Sequence, residues 1–355
     1  MTTPRDPQPE YRRNPITGWW VVVAPDRASK PEGGEAEAPL RTPKEECPFC
    51  EGKESRTPPE SFAVRGKTSA NGAGWKVRCV PNRFPAMRSD VAVPIHSSEP
   101  DAQARDISGL ALACVSGSEV VDRLSGWGVH EVVVESPRHV GSLFDEPLEH
   151  AETVALAYRD RWRKLSKQAN VAAGLLFHNS GRGGGASQEH LHSQIMATPF
   201  VPPFLQLELD GAERFHAEHG VDPWGSMISE EKKVGIRVVA ETDSFLAWCP
   251  SMGRLAYEIW LAPKKRQSRF EDCDDATAKE LGGLLRDLVG RIETRLGPSF
   301  NYYLHSAPFD GKDRPSFRWH WEIVPRLAGI AGWELGAGMF LNTTPPEVAA
   351  EKLRL

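Results

Sequence analysis

Residues 178–194 read HNSGRGGGASQEHLHSQ, so His190, His192 and Gln194 occupy alternate positions directly behind a run of small residues. In an extended strand, alternate side chains share one face and sit roughly 6.5–7 Å apart along the chain. Two imidazoles and an amide then line one surface, beside a loop whose backbone N–H groups can approach phosphate oxygens. A neutral imidazole attacks phosphorus when its other nitrogen donates a hydrogen bond that fixes the tautomer. His192 is the candidate nucleophile. Gln194 can donate to a non-bridging phosphoryl oxygen as charge builds there. Asn179, Ser180, Gly181, Gly183, Gly184, Gly185 and Ser187 supply donors or permit close backbone approach. A single histidine is more often structural than catalytic, and it is this company that singles out His192.

Residues 181–186 also fit G-x-G-x-x-A, the dinucleotide pattern, but that motif must open a helix. Here the residues that follow alternate with period two, so a Rossmann reading is rejected. A second constellation is Cys47-Pro48-Phe49-Cys50, a C-x-x-C knuckle between two polar loops at residues 33–43 and 51–71. Such a pair serves metal binding, redox chemistry or simple burial; no thioredoxin-like βαβ pattern follows, which weakens the redox reading. Two further ligands would complete a tetrahedral Cys₂His₂ site, and His139 and His190 are the candidates. A third group is His305, His320 and Glu322, with Glu208, which could hold a second divalent ion or make ordinary polar contacts on a sheet face.

The elements that must position these residues repeat. Strands are predicted at residues 19–23, 76–80, 129–135 and 190–196, and a helix at 148–169, where Ala155, Leu156, Tyr158, Trp162 and Leu165 fall at helical spacing. Residues 76–84 have a counterpart in 236–245, and 130–147 in 257–274. The helix 148–169 matches 275–294, whose Leu281, Leu284, Leu285 and Leu288 form an apolar stripe. Residues 176–196 match 302–324, ending HLHSQI in one copy and RWHWEI in the other. Each unit reads strand, strand, helix, strand, which points to an α+β fold with a mostly antiparallel sheet flanked by helices. Arg318 stands opposite His190 and Glu322 opposite Gln194, and only His320 persists opposite His192. One unit (residues 1–200) reads as catalytic and the other (225–355) as supportive.

The chain's 355 residues, 40% hydrophobic and 26% charged, suit a soluble globular protein. A net charge of −5 gives no reason to expect nucleic acid or an anionic membrane as partner. No apolar run is long enough to span a bilayer and the N-terminal residues are too polar for a signal peptide, so the cytoplasm is the expected compartment. Six cysteines in a chain of this length do not suggest a disulfide scaffold. Cys79, Cys114, Cys249 and Cys273 read as structural.

With these residues in view, the chain resembles the galactose-1-phosphate uridylyltransferase family of the histidine-triad superfamily over nearly its whole length. The resemblance rests on H-x-H-x-Q with its upstream NSG and A-S pair, on CPFC and SPRH, on PNRFPAM, and on YRRNPITGWWVVVAPDRASKP near the N-terminus. It implies two tandem histidine-triad-like units and structural zinc held by Cys47, Cys50, His139 and His190. It implies nucleoside contacts from Asn82 and Phe84, phosphate contacts from Arg27, Lys30, Asn179, Gly181, Ser187 and Gln194, and His192 as nucleophile. It also implies a homodimer with sites near the subunit boundary. The family's second metal site resembles Glu208, His305 and His320, with Glu322 replacing a histidine; a carboxylate still suits a divalent ion such as iron or zinc. In residues 333–342, WELGAGMFLN, Ala337 and Gly338 stand where the transferase carries a Tyr-Glu pair for the hexose. That stretch resembles the branch containing ADP-glucose phosphorylase.

The resemblance implies double-displacement nucleotidyl transfer in galactose and other carbohydrate metabolism. His192 takes the nucleotide from a nucleotide sugar, expelling sugar 1-phosphate, and a second sugar 1-phosphate then removes it. The alternatives are an ADP-glucose phosphorylase-like reaction, in which phosphate is the acceptor, its hydrolytic variant, and a zinc protein that binds nucleotide without turnover.

Overall fold

The structure is a computed structural model and describes residues 8–29, 42–93 and 124–354. Lys30, Cys114 and nearly all of the loop at 33–43 lie outside the described residues. The chain begins with β1 (Glu10–Arg13) and β2 (Trp20–Val23). The first unit then runs β3 (Phe62–Arg65), β4 (Trp75–Pro81), β5 (Val129–Val134), α1 (Leu148–Leu165), β6 (Ala173–Ser180) and β7 (His192–Thr198). Two helices follow, α2 (Pro203–His219) and α3 (Pro223–Val234). The second unit runs β8 (Val238–Glu241), β9 (Phe245–Trp248), β10 (Ile259–Pro263), α4 (Asp275–Arg295), β11 (Phe300–His305) and β12 (His320–Pro325). The chain closes with α5 (Gly332–Ala337), β13 (Phe340–Asn342) and α6 (Pro346–Arg354).

One ten-stranded sheet carries both units, in the order β3-β4-β5-β7-β6-β11-β12-β10-β9-β8. Every neighbouring pair in it is antiparallel. The fold is therefore α+β, as its period-two strands and two long amphipathic helices predict. Each unit is strand-strand-strand-helix-strand-strand, richer than the four elements expected. Among the strands beyond those expected, β3 and β8 have only four residues each, too few to show a period. β6 and β11 pair at the centre, Asn179 facing Asn301 and Phe177 facing Tyr303, so the two units form a continuous surface.

The pairing also corrects the alignment of the repeats. Gln194 pairs with Val132 on β5, while its counterpart Glu322 pairs with Trp260 on β10. Val132 thus corresponds to Trp260, one residue away from the match of 130–147 with 257–274. In the sheet order, β4 corresponds to β9, so residues 76–84 answer to those from Phe245 onward rather than to 236–245. A one-residue slip moves a side chain to the other face. Glu131 and Glu258, which coincide as letters, are not equivalent.

α1 and α4 pack together on one face of the sheet over Val154, Tyr158, Trp162, Leu285 and Leu288, all fully buried. Each such aliphatic side chain contributes on the order of 2 kcal/mol relative to exposure. α1 stops at Leu165, short of the predicted 169, and Asn170 turns through a left-handed φ of 65°. α4 starts on Asp274, whose carboxylate accepts from the Thr277 N–H at 2.7 Å, a cap that fixes its boundary. β1 and β2 attach to the second unit. β13 runs parallel to β2, Ile16 packs with Trp224, Trp248 and Trp260, and Arg12 bonds the Ser251 carbonyl and Glu347.

Candidate active site

β7 begins at His192, and His190 sits in the turn just before it. Both rings lie on the sheet face away from α1 and α4, and both contact Phe49 of the cysteine knuckle, at 5.9 Å for His190 and 5.3 Å for His192. Beyond Phe49 lies a cleft of about 910 Å³ that His192, Gln194, Ser187, Asn82 and Phe84 help to line. Arg56 and Arg83 add positive charge at its wall.

The His192 Nδ1–H donates to the backbone carbonyl of His190 at 2.7 Å. That bond consumes one ring nitrogen and leaves Nε2, with its lone pair, for the cleft. Burial pushes the imidazole's pKa down, which keeps the ring neutral and nucleophilic. Gln194 is oriented as well. His130 Nε2 lies 2.8 Å from its Oε1, while His130 Nδ1 accepts from the Ala86 N–H at 3.0 Å. With the carbonyl end of Gln194 held by His130 and, at 3.4 Å, by the Asn82 amide, its NH₂ end is the one left to donate. Asn82 in turn accepts from the Phe84 N–H at 2.9 Å, and Phe84 stands 84% exposed at the mouth.

The second constellation closes on itself. Single ligand atoms of Cys47, Cys50, His139 and His190 lie within 4.8 Å of one another. His190 Nε2 donates to the Ser136 carbonyl at 2.8 Å and His139 Nε2 to the Thr42 carbonyl at 3.0 Å. Each imidazole is thereby locked with Nδ1 toward sulfur: His190 to Cys47 at 3.4 Å and His139 to Cys50 at 3.2 Å. Backbone carbonyls on the far nitrogen are the outer contacts that orient metal-binding histidines. Burial holds His190 down at about 4 and, with Cys47, pushes the Cys50 thiol up to about 11. A thiol as reluctant to ionise alone as Cys50 suits a site where a cation displaces the proton. The donor set fits zinc.

The position that mirrors His192 and Gln194 in the second unit holds Glu208, His305, His320 and Glu322, all buried, with ligand atoms within the same 4.8 Å limit. His320 repeats the bond of His192, its Nδ1–H donating to the Arg318 carbonyl at 3.0 Å. His305 Nδ1 and Glu208 Oε2 are 2.9 Å apart yet misaligned for a hydrogen bond, and both, with His320 Nε2, are buried without a hydrogen-bond partner among the described residues. Orphaned donors converging on one point fit a divalent ion bound by nitrogen and oxygen. Arg254 is the residue that no motif announced. Its guanidinium lies 5.5 Å from Phe204 and 5.9 Å from Phe340 and pairs with Glu322 and Glu258. Burial alone would push the Glu322 carboxyl up, but Arg254, with His320 and His305, holds it far below its ordinary value. Glu208 drives the His305 pKa up despite burial.

Several predicted residues lie elsewhere. Asn179 accepts from Asn301 at 2.8 Å and lines a neighbouring cleft of about 270 Å³ with Arg254, Tyr303 and Arg326. Gly181 has a φ of +65°, and a Cβ there would meet Ser299 Oγ at 2.2 Å; one on Gly184 would meet the Ser180 carbonyl at 2.1 Å. These two glycines let the loop close against the start of β11. The loop amides of Gly185 and Ala186 donate to the Arg182 and Gly181 carbonyls, so they are not aimed at a ligand. Arg27 is exposed on a short 3₁₀ turn. His130 and Phe49 went unremarked in the sequence; the signal for His130 was its place on a strand adjacent to the H-x-H-x-Q strand.

Residues 1–202 match the family model for the N-terminal domain of galactose-1-phosphate uridyl transferase. The chain is 32% identical to ADP-glucose phosphorylase of Arabidopsis thaliana, over 98% of this chain and 92% of that protein. It is 27% identical to galactose-1-phosphate uridylyltransferase of Thermotoga maritima, over 97% and 98%. Among solved structures, the Arabidopsis ADP-glucose phosphorylase with bound ADP-glucose superposes with a TM-score of 0.80, at 30% identity and 98% coverage of both chains. A uridylyltransferase mutant superposes at 0.72, with 27% identity over 97% and 96%.

Proposed function

The chain belongs to the galactose-1-phosphate uridylyltransferase family and is a nucleotidyltransferase, and we propose that it works by double displacement through His192. The observation that carries the proposal is the Nδ1–H bond from His192 to the His190 carbonyl, which leaves Nε2 facing a cleft large enough for a nucleotide. Nε2 attacks the α-phosphorus of a nucleotide sugar. The new N–P bond forms as the bond to sugar 1-phosphate breaks, and the departing phosphate monoester needs no strong acid. An acceptor phosphate oxygen then attacks the same phosphorus and returns the imidazole to its neutral form. Gln194 and Ser187 donate to the equatorial oxygens as charge builds. Asn82 and Phe84 take the nucleoside, with Arg56 and Arg83 supplying positive charge along the way.

Zinc at Cys47, Cys50, His139 and His190 would serve as a structural clamp, because four protein ligands leave no open coordination position. Glu208, His305, His320 and Glu322 would hold a second divalent ion, zinc or iron. Arg27, Lys30, Asn179 and Gly181 are assigned to phosphate on resemblance alone. Free, buried Cys47 and Cys50 suit a reducing compartment, for which we take the cytoplasm. No helix among the described residues is long and apolar enough to cross a membrane. The family resemblance supports a homodimer, and the exposed Trp333 and Leu335 offer apolar surface for one.

The phosphorylase reading stands beside the uridylyltransferase one, because the Arabidopsis ADP-glucose phosphorylase has higher identity and TM-score than the Thermotoga uridylyltransferase and the uridylyltransferase mutant, respectively. An acceptor panel separates them. The protein is charged with ADP-glucose or UDP-glucose and then given galactose 1-phosphate, inorganic phosphate or water alone. Release of a new nucleotide sugar identifies the transferase, release of nucleoside diphosphate the phosphorylase, and release of nucleoside monophosphate the hydrolase. A protein that retains no nucleotide and releases no product under any condition contradicts all three.

A further inference from the structure

Directly behind the strand that carries His192, on its helix-facing side, the core holds a fully buried polar network. Tyr158 of α1 donates to the Glu135 carboxylate, lies 2.8 Å from Ser193 Oγ and 3.0 Å from Tyr302 Oη. His178 Nδ1 lies 3.3 Å from Ser193 Oγ and 3.9 Å from Glu135, and its ring stacks on Tyr302 at 4.6 Å. Glu135, Tyr158, His178 and Ser193 are all at most 4% exposed. One carboxylate oxygen of Glu135 has no hydrogen-bond partner among the described residues. Burying such groups is costly, and a core of the same shape made from apolar side chains is often as stable or more so.

The other half of the molecule supplies the control. By strand pairing, Ser193 corresponds to Trp321, His178 to Leu304 and Glu135 to Pro263. The same fold, built a second time in the same chain, fills this place with apolar residues. The network is thus not required by the architecture. It accompanies the unit that carries the nucleophile.

We propose that Glu135, Tyr158, His178 and Ser193 are positioning residues that hold the backbone of residues 190–193 and thereby aim the His192 imidazole; this rests on the role given to His192 above. Residues 135 and 136 grip that segment twice more. The Glu135 N–H donates to the Leu191 carbonyl at 3.3 Å, and the Ser136 carbonyl accepts from His190 at 2.8 Å. The carbonyl that fixes the His192 tautomer belongs to the residue so gripped. Ser193, between His192 and Gln194, ties the strand to α1 from behind. Although burial pushes the Glu135 carboxyl up, His178, Ser193 and Tyr158 hold it below its ordinary value, so the anchor is a carboxylate. An attacking nitrogen displaced by a fraction of an ångström forfeits much of its advantage.

The test makes this place apolar, as it is in the second half, with a Glu135→Leu, Tyr158→Phe, His178→Leu, Ser193→Ala variant. The expected protein is folded, keeps its zinc and binds nucleotide sugar with unchanged affinity. Its nucleotidyl-His192, followed by rapid quench, forms slower by on the order of ten- to a hundred-fold. A lower melting temperature with an unchanged rate per folded molecule would make the network merely structural and overturn the proposal. Should the fourfold variant not fold, Tyr158→Phe alone removes the bridging hydroxyl; it is expected to slow the step several-fold, and an unchanged rate refutes positioning. Carbethoxylation of His192 by diethyl pyrocarbonate, mapped by peptide mass, needs only an aimed Nε2 and no nucleotide. Slower modification in the variants supports the network even if the wild type never accepts nucleotide, an outcome that would sink the functional reading instead; equal modification rates sink the network.

Discussion

The two halves of the sheet place a histidine at the same position and surround it differently. His192 and His320 each spend Nδ1–H on the carbonyl two residues earlier, so both present Nε2 from the same sheet face. Around His192 the nearest groups are uncharged, Phe49 against the ring and Gln194 with its amide free, and they border an open cleft whose charged groups sit on its wall. Around His320 they are Glu208, Glu322 and Arg254, packed without comparable space. A neutral ring at an open cleft can attack phosphorus. A ring enclosed by carboxylates can only coordinate or hydrogen-bond. The same backbone device therefore serves nucleophile and ligand, and the neighbours decide which.

Removing each histidine in turn separates the two halves most sharply. His192→Ala is expected to abolish transfer, by about 10⁴-fold or more, since it deletes the attacking atom itself. His320→Ala should cost metal content and melting temperature yet still leave a protein that accepts nucleotide. If steady-state assays showed the reverse ranking, the roles of the halves would be exchanged. Gln194→Ala comes next, with kcat down by about 10²–10³-fold and a smaller change in KM, as for loss of one donor to a developing oxyanion. A rise in KM at constant kcat would make Gln194 a binding residue instead.

Cys47→Ser probes the clamp. It should lose zinc by elemental analysis and several kcal/mol of stability, with transfer by the remaining folded protein reduced less than in His192→Ala. Full zinc occupancy in that variant would remove the metal from the account.

The smallest effect sharpens the contrast in buried acids. Glu135, in the first half, stays ionised, whereas burial raises Glu271 in the second half to about 7. A carboxyl whose folded pKa lies above its unfolded value favours the native state when protonated. Its contribution is present at low pH and is lost as pH rises from about 4.5 to about 7. Over that window the loss is at most about 3 kcal/mol for a shift of this size. Glu271→Gln should flatten that part of the stability profile; denaturation curves at pH 5 and pH 7.5 that fall as steeply as the wild type's would refute it.

Much of this was legible in the residues. The alternation of His190, His192 and Gln194, the knuckle at Cys47 and Cys50, and the partner histidine His139 converge in space as their chemistry demands. The period-two strands and the leucine stripe of α4 gave the fold class. What the letters concealed has physical causes. The match of Glu131 with Glu258 misled, because the identity of a letter carries no information on which face of a strand it occupies. The glycines at 181 and 184 suggested phosphate, and the close approach of β11 that they also admit was not legible, since a loop needs the same freedom for either neighbour. β1 and β2 join the second unit through pairing with β13, a contact more than 300 residues apart that no local pattern announces. Arg254 and His130 act through partners distant in sequence, so neither belongs to a motif.

Catalysis through His192 comes down to where a nucleotide becomes attached. Wild-type protein is incubated with labelled ADP-glucose or UDP-glucose, quenched in alkali, digested and mapped by mass spectrometry. One nucleoside monophosphate is expected, bonded to the peptide containing His192. Turnover without any adduct, or an adduct on the peptide containing His320, would contradict it.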